Sequence, residues 1–223
     1  MLQPILTHPW DVSPTDAKGI QHQLCSHVQL KPLGRSPEVV AGVDVSMKGN
    51  QARAAVVLLS YPDLAPLEAV TAQNPVTFPY VPGLLAFREG PVVLEALEQL
   101  TIHPDVLMFD AQGWAHPRRM GLATHLGVLL DMPSVGCAKS RLCGTYTEPG
   151  EQKGAWTPLN DENEVIGAVV RTRDSVRPVF VSAGHRTDLQ TAVGLVLSCA
   201  TKYRLPEPTR WAHRVAGGAR LPL

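Results

Sequence analysis

Three acidic residues stand where their side chains could converge. Asp44 lies near the end of the apolar run 39–45, Asp110 ends the run 106–110, and Glu89 lies between them on a predicted helical segment. Mg²⁺ in proteins binds through one or two carboxylates together with water and phosphate oxygens. Two such ions about 4 Å apart can stabilise the attacking and leaving oxygens of a phosphodiester. Acids after strands are also common as turn formers and helix caps, so position alone leaves both interpretations open.

Basic side chains follow the last of these acids. His116 and Arg118 come shortly after Asp110 and offer an imidazole and a guanidinium group. Such groups hold phosphate and stabilise negative charge. A solvated basic turn is the alternative interpretation.

Two further residues have the right chemistry but an ambiguous position. Lys139 directly follows a predicted buried strand, where its ammonium group could contact a scissile phosphate or orient an attacking water. His213 lies in an arginine-rich helical segment. Taken singly, each is more typical of an ordinary surface residue than of a ligand.

An aromatic residue stands in a stretch that cannot be helical. Tyr80 is flanked by Pro79 on one side and by Val81 and Pro82 on the other, and Gly83 follows. Two prolines and a glycine fix a rigid loop. A rigid apolar side chain can push into a base stack, whereas a tyrosine that fills the core is the simpler interpretation.

The charge balance restricts how nucleic acid could bind. Lys plus Arg and Asp plus Glu number 20 each, so no whole-molecule positive field exists and only local patches could contact phosphates. Solvated surface charge is the alternative for both candidate patches. They are Arg118, Arg119, Lys139 and Arg141 in the middle of the chain, and Lys202, Arg204, Arg210, Arg214 and Arg220 near its end.

The elements that must position these residues follow from apolar periodicity and from the turn residues. Three apolar segments with short connections predict an antiparallel meander, and a strand, helix and strand after it predict a parallel crossover. We expect one α/β domain over residues 1–223, with a mixed sheet and flanking helices in the ribonuclease H-like layout. The predicted helices span 14–30, 84–100 in two pieces divided at Gly90-Pro91, 119–130, 188–203 and a short terminal segment. The predicted strands span 39–45, 54–61, 67–76, 106–110, 134–138, 165–173 and 178–183, with a loop or hairpin insertion at 146–163.

Several protein classes are excluded by what the sequence lacks. Hydrophobic residues make up 44% and charged residues 18%, as in ordinary globular proteins. There is no Gly-x-Ser-x-Gly elbow, glycine-rich phosphate loop or His-Glu-x-x-His motif. The four cysteines form no Cys-x-x-Cys pair, and no cationic leader or apolar run of about 20 residues is present. We therefore expect a cytoplasmic protein that does not bind membranes.

Together, these segments resemble the endonuclease V family from about residue 39 to residue 216. Seven motifs carry the resemblance in order. They are Val-Ala-Gly-Val-Asp-Val (40–45), Pro-Tyr-Val-Pro-Gly-Leu-Leu-Ala-Phe-Arg-Glu (79–89), Asp110 with Gly113, His-Pro-Arg-Arg (116–119), Gly-Cys-Ala-Lys-Ser-Arg-Leu (136–142), Ser-Ala-Gly-His-Arg (182–186) and Arg-Leu-Pro-Glu-Pro-Thr-Arg (204–210).

The resemblance implies a monomeric, Mg²⁺-dependent nuclease of damaged DNA. It would cut the second phosphodiester bond 3′ to a deaminated base, chiefly hypoxanthine, and leave a 3′-hydroxyl and a 5′-phosphate. Asp44, Glu89 and Asp110 would bind Mg²⁺, for which Mn²⁺ can substitute. Lys139 would lie near the reacting phosphate, and His213 would contact a second metal or a phosphate.

The resemblance also assigns the substrate contacts. Tyr80, with Pro79, Val81 and Pro82 around it, would be the wedge that enters the duplex. Leu85, Gly113 and Leu122 would line the pocket for the displaced base. Arg88 is grouped with His116 and Arg118 as a phosphate contact.

One position departs from the family pattern. The family usually has Asp-Gly-x-Gly where this chain has Asp110, Ala111, Gln112 and Gly113. If the backbone there requires a positive φ, alanine is strained, and in any case its methyl group reduces the space for the base.

Three alternatives remain open at this stage. Inosine-containing RNA is a second substrate class that the sequence does not separate from DNA. A lesion-binding module without nuclease activity is a third hypothesis. Such a module would have lost one of the acids, whereas this chain keeps all three. Another ribonuclease H-like nuclease, such as a junction resolvase, would keep the acids but would have no need of the wedge loop.

Overall fold

A computed structural model describes residues 2–222, and its centre is an eight-stranded mixed sheet with helices packed on it. The strands are β1 (Val39–Lys48), β2 (Gln51–Ser60), β3 (Pro66–Pro75), β4 (Val106–Phe109), β5 (Ser134–Ala138), β6 (Trp156–Asp161), β7 (Glu164–Val170) and β8 (Val179–Ala183). The helices are α1 (Pro14–Cys25), α2 (Leu85–Glu98), α3 (Leu122–Leu130), α4 (Leu189–Cys199) and α5 (Glu207–Ala216). In the described part of the chain, no helix combines the length and the apolarity needed to cross a membrane.

The sheet has the strand order β3-β2-β1-β4-β5-β8-β7-β6. Strands β1, β2 and β3 pair antiparallel, while β1 with β4 and β4 with β5 pair parallel. The remaining pairs, β5 with β8, β8 with β7 and β7 with β6, are antiparallel. The predicted meander, central strand, parallel crossover and mixed sheet are therefore confirmed.

The central strands are apolar along their whole length because both of their faces are buried. Leu107 and Phe109 on β4 pack with α2 and α3 on one face, whereas Val106 and Met108 pack with α4 on the other. Successive side chains of a strand point to opposite faces, so every position of a strand that is covered on both faces is buried and apolar. The first polar residue after β4 is Asp110, at the edge of the sheet.

Helix α1 begins as predicted but ends earlier. The Asp16 N–H donates to the Ser13 Oγ, which confirms the serine cap. The helix stops at Cys25 instead of continuing to about residue 30. The chain beyond it binds elsewhere, since the Gln29 N–H donates to His185 Nδ1 and the Arg186 N–H donates to the Gln29 carbonyl oxygen.

Helix α2 is a single helix, so the predicted division at Gly90-Pro91 is wrong. Pro91 lies inside it, although a proline there lacks an N–H and costs about 3 kcal/mol. Packing outweighs this cost, because the residues on both sides of Pro91, among them Phe87 and Val93, are buried. A Cβ on Gly90 would lie 2.8 Å from the Trp10 ring, so glycine here lets the N-terminal segment pack against the helix.

The segment predicted as a loop or hairpin insertion contains a strand. Strand β6 pairs antiparallel with β7, which confirms the hairpin alternative.

The helix predicted to end at 203 ends at Cys199, because Ala200 takes an extended conformation that leads towards α5.

Helix α5 covers the outer strands of the meander. Its buried residues Ala212, Val215 and Ala216 pack on Val57 and Leu59 of β2. The approach to β1 is closer still, because a Cβ built on Gly42 would lie 1.9 Å from the Pro208 carbonyl oxygen. Any other residue at position 42 would displace the start of α5.

Candidate active site

The sheet and α5 bring three of the predicted ligands together. Val43 of β1 is paired with Phe109 of β4, so the residues that follow them, Asp44 and Asp110, are neighbours at the same edge of the sheet. One ligand atom from each of Asp44, Asp110 and His213 lies within 4.8 Å of the others. His213 Nδ1 is 2.7 Å from Asp44 Oδ2. The convergence expected from the sequence is found.

Glu89 lies beside these two aspartates in an environment that resists negative charge. Its position on α2 puts it in the same cleft as Asp44 and Asp110. Burial first, and then the charge of Asp44, raises the pKa of Glu89 to about 8, although the charge of Arg88 acts in the opposite direction. The pKa of Asp44 is raised as well, mainly by burial and then by Asp110. A bound cation would offset this repulsion.

Lys139 contacts the buried end of Asp110. Its ammonium group forms an ion pair with Asp110 Oδ2, and the two side chains are 41% and 4% exposed. The three acids share this one ammonium group, and burial together with the charges of Asp44 and Asp110 still raises the pKa of Glu89. The oxygen-rich site with its mutually repelling acids therefore fits a hard divalent cation.

Arg204 holds the backbone of Lys139, which the sequence did not suggest. Its Nη2 donates to the carbonyl oxygens of Lys139, at 2.7 Å, and Pro178, at 2.8 Å. Its Nε donates to the carbonyl oxygen of Arg177. Arg204 was assigned to a surface patch because a sequence shows its charge but not the carbonyl groups that it contacts.

A cleft of about 460 Å³ adjoins the acids. Leu85, Ala111 and Leu122 line it, as predicted for the base pocket. Gly113 does not line the cleft, because it is packed against β8: its N–H donates to Ser182 Oγ, and a Cβ would lie 2.3 Å from the Ala183 carbonyl oxygen. Arg141 of the predicted middle patch also lines the cleft, and sequence reasoning missed other lining residues, which neighbour predicted ones along the chain: Val45, Ala86, Gln112, Met120, Gly121, Ala138, Ser140 and Leu142.

Ala111 is unstrained. Its φ is not among the positive values of the chain, so the expected backbone strain does not arise. Its side chain lines the cleft and is 6% exposed. Only the steric part of the predicted effect remains.

The loop 78–83 presents Tyr80 to solvent. Tyr80 is 72% exposed, so the interpretation that it fills the core is wrong. Phe78 is buried and Val81 is partly buried against the same apolar cluster, which anchors the loop beneath the tyrosine. Tyr80, Val81 and Pro82 border the cleft, whereas Pro79 does not line it.

The three residues predicted to bind phosphate instead contact this loop. Arg88 Nη1 donates to the Phe78 carbonyl oxygen at 2.8 Å. His116 Nε2 and Arg118 Nη2 lie 2.9 and 2.7 Å from the Gly83 carbonyl oxygen. These donors are used inside the protein, so their placement does not favour the predicted phosphate contacts.

His116 is held in its neutral form. Its Nδ1 accepts the backbone N–H groups of Arg118 and Met120, which leaves Nε2 to carry the proton and donate to Gly83. Burial lowers the pKa of His116 to about 4, and the charge of Arg118 adds to this effect while the Gly83 bond opposes it. The side chain is buried, so the solvated-turn interpretation is also wrong for it.

The two basic patches are smaller than the sequence indicated. Arg119 pairs with Asp161 and Glu164, which leaves Lys139 and Arg141 as the exposed cations of the middle patch. In the second patch, Arg210 pairs with Glu207 and lies over the Tyr203 ring. Lys202, Arg214 and Arg220 remain exposed there.

Comparisons with known proteins identify relatives in sequence and in fold. The family model described as Endonuclease V matches residues 11–214. Endonuclease V of Methanothrix thermoacetophila is 54% identical over 206 residues, which are 92% of each chain. The crystal structure of endonuclease V from Streptomyces avermitilis has a TM-score of 0.90 and 41% identity over 95% of each chain. These similarities confirm the ribonuclease H-like fold expected from the sequence.

A further solved structure contains nucleic acid. It is endonuclease V of Ciona intestinalis in complex with a 23mer DNA containing an inosine followed by a ribo-adenosine. Its TM-score is 0.79 at 30% identity, and the similarity covers 92% of this chain and 97% of that one.

Proposed function

The chain belongs to the endonuclease V family and is a nuclease, and from this membership we propose that it nicks nucleic acid beside deaminated bases, chiefly hypoxanthine in DNA. It would act as a monomeric single domain with Mg²⁺, or with Mn²⁺ in its place. The cut would fall at the second phosphodiester bond 3′ to the lesion. The products would be a 3′-hydroxyl and a 5′-phosphate.

The meeting of Asp44 and Asp110 at one edge of the sheet, with Glu89 of α2 lining the same cleft, carries this proposal. The acids line the same cleft as the exposed Tyr80. A nuclease that acts on a base needs both a site for hydrolysis and a place for the displaced base. The relative from Ciona intestinalis, bound to DNA with an inosine, supports the choice of lesion.

The reaction requires the chain to hold a phosphodiester against its acids. Asp44, Glu89 and Asp110 would hold Mg²⁺, which when bound supplies Lewis acidity and a nucleophilic water at neutral pH. Lys139, paired with Asp110 and 41% exposed, can reach a phosphate oxygen or the attacking water. His213, hydrogen-bonded to Asp44, is available to a phosphate or to a second cation.

The substrate base would enter the cleft beneath the tyrosine. Tyr80 would fill the space that the base leaves in the duplex, because its ring is exposed and its loop is anchored. Leu85, Ala111 and Leu122 would form the apolar wall of the pocket. The enzyme would thereby avoid reading a base inside the stack.

RNA containing inosine is the second candidate substrate. The DNA bound by the Ciona intestinalis relative has a ribo-adenosine after its inosine, which favours testing a ribonucleotide at this position. Matched strands that differ only in the sugar 3′ to the lesion separate the two substrates. Faster cutting of the ribonucleotide strand would move the assignment to RNA.

The decisive experiment is incision of an end-labelled duplex that carries one deoxyinosine. The reactions contain Mg²⁺ or EDTA, and an undamaged duplex and the Asp110→Ala variant serve as controls. We expect a Mg²⁺-dependent nick between the first and second nucleotides 3′ to the lesion, absent from both controls. Binding without incision on DNA and RNA would instead identify a lesion-binding module.

A further inference from the structure

A glutamine from α1 reaches the base of the wedge loop. Gln21 is fully buried, and its Nε2 donates to the carbonyl oxygens of Gly83 and Met120, each at 3.0 Å. Its Oε1 accepts a hydrogen bond from Arg118 Nε at 2.6 Å. Every polar atom of this amide is therefore used, and one of its bonds ends on the wedge loop.

The Gly83 carbonyl oxygen is the point where these bonds meet. It accepts from Gln21, from the His116 ring and from the Arg118 guanidinium. A carbonyl oxygen has two lone pairs, so three donors make this a saturated acceptor. Gly83 itself has a φ of +79°, and a Cβ there would lie 2.9 Å from Arg118 Nη2, so the clamp closes only around glycine.

The other end of the loop is fixed independently. Arg88 donates to the Phe78 carbonyl oxygen, and the Phe78 ring is buried against Leu84 and Phe87. Residues 79–82 thus lie between two fixed carbonyl groups. Tyr80 is exposed at the middle of this span.

We infer that Gln21 is a positioning residue for the wedge, acting through Arg118 and the Gly83 carbonyl to set the direction in which Tyr80 projects. This inference rests on the proposed function, since it assumes that Tyr80 enters a duplex. A side chain can separate stacked bases only if it is held rigidly. Hydrogen bonds from neighbouring residues that do not themselves touch the substrate provide such rigidity. The clamp, defined as Gln21, His116, Arg118 and the Gly83 carbonyl, provides that support.

The substitution Gln21→Met tests the inference. Methionine fills a similar volume but donates nothing to Gly83 and accepts nothing from Arg118. A deoxyinosine in a duplex must be unpaired before it is cut, whereas one in a single strand needs no wedge. We expect kcat/KM on the duplex to fall about tenfold, the size of effect that loss of the buried bond to Gly83 produces, and kcat/KM on the matched single strand to change less than about twofold.

Two further variants separate positioning from general damage. Leu58→Ala removes buried volume from β2 without touching the clamp, and we expect it to lower both rates in the same proportion. Tyr80→Ala should reproduce the selective loss on the duplex. Because Gln21 acts through Tyr80, the double variant should be no slower on the duplex than Tyr80→Ala alone. Should Gln21→Met not fold, Gln21→Glu keeps the side-chain shape and the Arg118 acceptor but loses the donor to Gly83.

A second readout does not depend on cleavage. With 2-aminopurine next to the lesion and EDTA present, we expect the wild-type protein to raise the fluorescence of the duplex and the Gln21 variant to raise it less. Equal fluorescence rises, equal losses on duplex and single strand, or additive effects with Tyr80→Ala would each overturn the inference. A wild-type protein that cuts neither substrate but opens the duplex would refute the proposed function while leaving the clamp to be judged by fluorescence.

Discussion

His213 Nδ1 lies 2.7 Å from Asp44 Oδ2, although 169 positions separate the two residues in the chain. The contact depends on how closely α5 approaches β1. Pro208, at the start of α5, lies where the Cβ of any residue other than glycine at position 42 would be. A residue without a side chain therefore sets the distance between a candidate metal ligand and its partner.

Replacing Gly42 should consequently disconnect His213 from the acids. In Gly42→Ala, the added methyl would clash with the Pro208 carbonyl group at 1.9 Å, and α5 must shift to relieve it. We expect a loss of activity of about 100-fold or more, comparable to the effect of a misplacement of about 1 Å, and a lower melting temperature. The matched control is Gly194→Ala on α4, where an added Cβ meets nothing within 4 Å. Full activity in Gly42→Ala would contradict this account of the helix position.

The raised pKa of Glu89 predicts a link between metal binding and pH. Its carboxyl group titrates near 8 in the folded protein against 4.5 ordinarily, so the folded state holds a proton that the unfolded chain has released. Without metal, the stability contributed by this proton is present below about pH 4.5 and is lost as the pH rises through 8. Because Mg²⁺ requires the carboxylate, its stabilising effect should grow over the same window.

Melting temperatures measured from pH 6 to pH 9, in Mg²⁺ and in EDTA, check this link. We expect the gap between the two curves to widen with pH for the wild-type protein. In Glu89→Gln, the melting temperature in EDTA should no longer fall with pH through the titration of this residue. The difference between the melting temperatures in Mg²⁺ and in EDTA should also disappear. A Mg²⁺ effect that is the same at both ends of the range would refute the assignment of Glu89 as a ligand.

Arg204 should influence catalysis through Lys139 without touching the substrate. In Arg204→Lys the charge is kept, but a lysine cannot donate to the carbonyl groups of Arg177, Pro178 and Lys139 in the fixed geometry of a guanidinium. We expect kcat to fall about tenfold with little change in KM, since the loss of one or two hydrogen bonds loosens the lysine rather than the binding surface. The control Arg220→Lys makes the same exchange at an exposed position. A change confined to KM would show that Arg204 acts on binding.

Ala111→Gly should raise activity on deoxyinosine duplexes by enlarging the pocket. Because Ala111 does not have a positive φ, removing its methyl group relieves no backbone strain. The variant should therefore be slightly less stable, by about 0.5–1 kcal/mol at most, since glycine loses more conformational entropy on folding. Steady-state rates and denaturant unfolding measure the two effects. Equal or lower activity would show that the methyl group of Ala111 does not restrict the pocket. A gain in stability would show that the backbone at Ala111 is strained after all.

Sequence was most informative where burial leaves a clear pattern. The apolar runs before Asp44 and Asp110 predict buried strands, and parallel pairing then brings the acids to one edge. Helix α2 was divided wrongly because its continuity depends on packing, including the contact of Trp10 with Gly90, which no local pattern records. Boundaries failed for the same reason at the end of α1, where the chain hydrogen-bonds to residues far away in sequence.

For charged residues, by contrast, the sequence does not reveal which groups they contact. Arg88, His116 and Arg118 have the chemistry of phosphate ligands, and a sequence reports only that chemistry. The structure adds their partners, which are backbone carbonyl groups of the loop 78–83. Gln21 was missed altogether because an uncharged amide on a helix gives no signal until its neighbours are known.

The packing of α5 also has a consequence for how the protein is made. Val57 and Leu59 of β2 are translated long before the residues of α5 that cover them, Ala212, Val215 and Ala216. As the chain leaves the ribosome, this face of the meander stays bare until α5 has emerged. The nascent polypeptide therefore exposes this apolar surface for most of its synthesis. Exposed apolar surfaces of this kind bind chaperones and promote aggregation. A chain that ended before α5 would keep this face exposed after synthesis.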